Sequence, residues 1–71
     1  MADDSEQSPV GAVGRVTVPI PTAGPGEVLV GLRGGSEVFA AWSAGPIAVN
    51  TRVVVTDAIS ARSVLVEPLP P

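Results

Sequence analysis

The stretch from Glu27 to Trp42, EVLVGLRGGSEVFAAW, decides the fold. Two apolar-rich runs, Glu27 to Arg33 and Ser36 to Trp42, flank the dipeptide Gly34-Gly35, and a two-residue glycine loop between such runs signals an antiparallel hairpin. A loop of that length also dictates which side chains oppose each other. Leu32 is expected to face Glu37, Val30 to face Phe39, and Val28 to face Ala41. That face is apolar apart from Glu37 beside the turn, so it is the expected core face. The other face carries Glu27, Leu29, Gly31 and Arg33 on one strand, with Ser36, Val38, Ala40 and Trp42 on the next. Trp42 is therefore expected to point outward. A three-residue loop would invert the second strand, burying Trp42 and exposing Phe39.

Three further segments with a period of two flank this hairpin: Val13 to Ile20, Arg52 to Thr56, and Ser63 to Glu67. Turn-forming residues separate them, in Thr22 to Gly26, Ala44 to Asn50 and Asp57 to Arg62. The expected inward sets are Val16, Val18 and Ile20, then Val53 and Val55, then Val64 and Val66, with Val54 and Leu65 left outside. Five short strands with one solvated face do not make a stable open sheet, because two bare edges would remain. The expected fold is all-β, a small five-stranded closed barrel of the OB type. Gly14, Gly26 and Gly31 fall at or inside strand ends, where such a barrel needs sharp coiling and close backbone approach.

Composition narrows the chemistry. The chain has 71 residues, a net charge of −3, and no Cys or His. Its four cations are all arginine, so Lys is absent, as is Tyr. Nucleophilic and general acid–base catalysis at neutral pH draw mainly on the missing residue types, so no catalytic residue is expected. Metal-ligand spacing is absent too, and no cofactor or metal site is expected. The glycine-rich turns do not open helices and so lack the anion-binding geometry of a phosphate loop. Few cations and a net negative charge disfavour nucleic acid as a partner. No run approaches the roughly 20 apolar residues that span a bilayer, and the start lacks a signal peptide's basic and apolar regions. The chain is expected to be soluble and cytoplasmic, and monomeric in isolation.

The acidic opening MADDSEQSP holds three of the seven carboxylates and cannot offset its own ordering entropy. The expected organisation is a flexible N-terminal tail over residues 1–12, a barrel over 13–69, and a C-terminal end at 70–71.

Residues 13–69 resemble the C-terminal soluble domain of NfeD-like proteins in its actinobacterial form. The likeness lies in VGRVTVPIP from Val13, the GEVLV strand, the triplet Phe39 to Ala41, the run from Pro46 to Val55 ending in RVVV, and the closing SVLVEPL. Asn50 stands where that family commonly has Gly, a mild departure since Asn tolerates a left-handed backbone. The resemblance implies an OB-fold barrel, usually attached behind transmembrane helices, and an adaptor role beside stomatin- or flotillin-like membrane scaffold proteins. No such helices lie within these residues, so the chain is either an excised domain or a free-standing member, with no membrane insertion of its own. Action at the inner face of a membrane would come through a partner or an anchor outside these residues. Some relatives carry a Ser-Lys protease domain, which a chain without Lys does not inherit.

The function expected from both lines is a non-enzymatic protein–protein interaction module. Its candidate partner-binding patch is Leu29, Val38, Ala40 and Trp42, with Arg33 at the rim. Trp42 has a plainer reading as a wall residue covered by the Ala44 to Asn50 loop or by the N-terminal tail. Two rival functions remain open: a single-stranded nucleic-acid-binding OB domain, and a purely structural domain of a larger membrane protein.

Overall fold

The computed structural model describes residues 8–70. Five strands carry the fold: β1 (Val13–Val18), β2 (Gly26–Leu32), β3 (Gly35–Trp42), β4 (Arg52–Ser60) and β5 (Ser63–Pro68). They close into a barrel in the order β1-β2-β3-β5-β4, with β4 returning to β1. Consecutive strands pair antiparallel where a tight turn joins them. The one parallel contact, β3 to β5, runs over Ala40–Trp42 against Ser63–Leu65. That contact completes the ring and removes the sheet edges along this stretch. The expected all-β, five-stranded closed barrel is the observed fold.

Of the tail expected over residues 1–12, residues 1–7 lie outside the described residues, as does Pro71 at the other end. The Gly11 N–H donates to the Val55 carbonyl at 2.8 Å, and the Val55 N–H to the Ala12 carbonyl at 2.9 Å. The β1–β4 seam thus begins ahead of Val13.

The interior is formed by Val16, Ile20, Val28, Val30, Phe39, Ala41, Ile47, Val53, Val55, Val64 and Val66. Most are valines, whose stiff branched side chains suit a pleated wall of small diameter. Val16, Ile20, Val53, Val55, Val64 and Val66 face inward as expected.

Val18 does not. The β1–β2 register advances from Val16↔Val28 to Val18↔Glu27, a β-bulge that gives β1 one extra residue. Thr17 and Val18 both end up outside, and Val18 is 46% exposed. Beyond the bulge Ile20 turns back into the core.

The hairpin register also differs from expectation. Leu32 pairs with Gly35, Val30 with Glu37, Leu29 with Val38 and Val28 with Phe39, so the two-residue turn is Arg33-Gly34 rather than Gly34-Gly35. Gly34 takes a φ of 86°, while Gly35 is extended and belongs to β3. Only the former needs glycine's freedom. The slip is of two residues, so every side chain keeps its face: Phe39 and Ala41 are buried and Trp42 is outside. Glu37 is correspondingly exposed, on the part of the hairpin that extends past the β3–β5 contact.

Strand β4 runs on to Ser60, where a turn was expected from Asp57. Two register irregularities, between Val55 and Asp57 and between Ala58 and Ser60, let it stay paired with β5 while twisting, and the turn shrinks to Ala61-Arg62.

Two of the three singled-out glycines are sites of close approach. A Cβ on Gly14 would lie 2.6 Å from the Leu29 carbonyl oxygen, and one on Gly26 2.5 Å from the carbonyl oxygens of Val18 and Pro19. Gly26 therefore lies beneath the bulge. At Gly31 the nearest atom would be 3.9 Å away, so this glycine is open. Asn50 has a φ of 73°, the left-handed conformation that Asn adopts in place of Gly.

Candidate functional site on the outer face

Among the described residues no buried side chain is polar or charged, so any recognition by this barrel happens on its outside. Strand alternation places Glu27, Leu29 and Gly31 of β2 on that surface beside Ser36, Val38, Ala40 and Trp42 of β3. Leu29 and Val38 are direct cross-strand partners, 40% and 51% exposed. Ala40 sits next along β3, opposite Glu27. Trp42 follows, and its partner across the parallel contact is Leu65. Their exposures are 39% and 38%. Four of the five expected patch residues are thus gathered on one stretch of wall.

Arg33 is not with them. It occupies the β2–β3 turn, while Trp42 ends β3 at the opposite extreme. At the usual strand rise the two are separated by roughly 20–25 Å along the strand. Leu65, which the expected patch did not include, is the residue that stands beside Trp42. Its outward direction was legible from the alternation in β5; its adjacency to Trp42 depends on parallel β3–β5 pairing, which no local turn encodes.

At the other end of the same face, β1 and β4 bring two cations together. Arg15 and Arg52 are direct Cα partners in the β1–β4 ladder, and both are exposed. Arg15 Nη1 donates to the Asn50 carbonyl at 3.3 Å. A shallow cleft of about 310 Å³ runs between them and Val13, Leu29, Gly31 and Ser36. The two arginines are 37 positions apart in the sequence, and only the closure of the barrel makes them neighbours. Glu27 lies on this side of the wall as well, where the Thr17 hydroxyl donates to its Oε2 at 2.9 Å. Among the described residues, no group of three or more acidic residues stands close enough to hold a metal ion.

The barrel as a whole has counterparts in known proteins. The family model for the NfeD C-terminal domain matches residues 13–67, from the first residue of β1 to one residue short of the end of β5. The solution structure of the soluble domain of the NfeD protein YuaF from Bacillus subtilis is similar at a TM-score of 0.73 and 33% identity, covering 86% of this chain and 74% of that one. The C-terminal domain of stomatin operon partner protein 1510-C from Pyrococcus horikoshii is similar at a TM-score of 0.69 and 25% identity, covering 89% of this chain and 91% of that one. No curated protein matches. With all five strands matched by that family's model, the chain belongs to the NfeD C-terminal domain family.

Proposed function

We propose that this barrel is a non-enzymatic docking module that binds a stomatin- or flotillin-type membrane scaffold protein through its outer β2–β3–β5 face, acting in the cytoplasm at the inner side of the membrane. The observation that carries the reading is the apolar stripe formed by the pairs Leu29–Val38 and Trp42–Leu65, all of them substantially exposed. An exposed tryptophan beside aliphatic neighbours is the kind of anchor that concentrates binding energy at a protein interface. The similarity to a stomatin operon partner protein supports the class of partner. The absence of Cys, His, Lys and Tyr from the sequence supports a role without catalysis.

Calorimetric titration of the domain against the soluble part of a stomatin-type protein tests this. Trp42→Ala and Leu29→Ser should each weaken binding tenfold or more, because truncating a central anchor costs on the order of 2 kcal/mol. Unchanged affinity in both variants would remove the stripe from the interface.

A further inference from the structure

We propose that the cleft between Arg15 and Arg52 receives a carboxylate-bearing segment of a protein partner. The proposal rests on the docking role above and adds the chemistry read at one end of the face.

Residues directly opposite on antiparallel strands have Cβ atoms about 5 Å apart, and like charges so placed repel. The chain has only four cations against seven acids, yet it sets two of those cations directly opposite each other. The neighbouring carboxylates do not neutralise them by strand pairing. Glu27 is the Cα partner of Val18 and Ala40 and accepts from Thr17, while Glu67 is opposite Val54. Among the described residues the guanidinium of Arg15 is anchored on the Asn50 carbonyl by one donor, and its other donors face the cleft for a ligand.

The surroundings say what kind of anion fits. Across four adjacent strands the register aligns Arg52, Arg15, Leu29 and Val38 in one row. At the usual strand spacing this row is about 14 Å long, two cations followed by two aliphatic side chains. In the next row Gly31 lies beside Val13 and contributes no side chain, which leaves room above it for a bound chain. The complement is a segment with two carboxylates and a flanking apolar residue. Paired guanidinium forks match carboxylates in geometry as well as charge. A nucleic acid fits poorly. The chain's net charge is −3, and the lone Trp42 is paired with Leu65, outside this row, so phosphate neutralisation and stacking do not coincide.

The test is a backbone amide NMR titration of the whole 71-residue chain at low salt with three probes: an octapeptide of alternating Glu and Leu, its Lys and Leu counterpart, and an eight-nucleotide oligothymidine. The acidic peptide should shift Val13, Arg15, Leu29, Gly31 and Arg52, and the basic one should not. R15Q/R52Q should weaken the acidic peptide at least tenfold, while Arg62→Gln in the β4–β5 turn leaves it unchanged. Because the pair repels in the free domain, Arg52→Glu should raise Tm by about 2–5 °C while abolishing peptide binding, a combination that general loss of folding does not produce. Peptide binding that survives R15Q/R52Q, or tighter binding of oligothymidine at the same residues, overturns the proposal. Loss of cleft binding with stomatin-type affinity intact separates the cleft from the docking role. Cleft binding of the acidic peptide with no stomatin-type affinity in the wild-type chain overturns the docking role instead.

Discussion

Ile20 and Ile47 exchange both of their backbone hydrogen bonds: each N–H donates to the other's carbonyl at 2.9 Å. The bridge lies outside the five strands, yet both side chains are buried in the core. It ties the segment after β1 to the long connection between β3 and β4, and Ile47 supplies from that connection an apolar side chain that the strands do not. Ile47→Ala should therefore cost about 2–5 kcal/mol. A domain of this size holds only about 4–11 kcal/mol in total. Urea denaturation should show a midpoint falling by a large fraction, whereas Val49→Ala, two residues along and exposed, should leave it nearly unchanged. Equal effects would mean that the connection does not seal the barrel.

Gly26 and Gly31 lie in one strand and should answer an added methyl in opposite ways. At Gly26 the new Cβ would meet two backbone carbonyls at 2.5 Å, and backbone cannot step aside as a flexible side chain does. Gly26→Ala should destabilise by about 1–3 kcal/mol or more. Gly31 has open space and an ordinary φ, so Gly31→Ala should be neutral or slightly stabilising through the unfolded state. Thermal unfolding of the two variants decides it, and a Gly26→Ala as stable as wild type would refute the close packing under the bulge.

Much of this barrel is legible in the sequence. The alternation in GEVLV and SVLV assigned faces correctly because period-two burial is imposed by pleat geometry. Face assignment even survived an error in the hairpin register, since a slip of two residues preserves parity. What local patterning could not carry was pairing between distant segments. The parallel β3–β5 contact that sets Leu65 beside Trp42, and the β1–β4 closure that sets Arg15 beside Arg52, depend on the whole ring. Ile47 falls within the expected Ala44 to Asn50 turn, because a single apolar residue between turns has no period to reveal it.

Asn50 offers a single-residue check on the turn that enters β4. Its φ of 73° costs most residues about 1–2 kcal/mol, less for Asn and nothing for Gly. Its own N–H donates to the Val16 carbonyl at 2.8 Å, so the turn is tied to β1 and cannot relax freely. Asn50→Gly should hold stability within about 0.5 kcal/mol and Asn50→Val should lose more than 1 kcal/mol, read from chemical denaturation. Equal stability of the Val and Gly variants would show that the left-handed conformation is not required.

Val16 and Val18 test the bulge itself. An uninterrupted strand would bury both, since they are two apart, and a polar substitution at either would then be equally damaging. With the bulge, Val16 is fully buried while Val18 is half in solvent beside Thr17. Replacing Val16 by Thr puts a hydroxyl into an interior where the nearest partners are apolar, at about 1–3 kcal/mol for the unpaired group. Val18→Thr keeps β-branching on an exposed strand and should change stability by less than about 0.5 kcal/mol. The two variants have the same atoms exchanged on the same strand, so the difference between their denaturation midpoints isolates burial. Comparable losses at both positions would return Val18 to the core and remove the extra residue from β1.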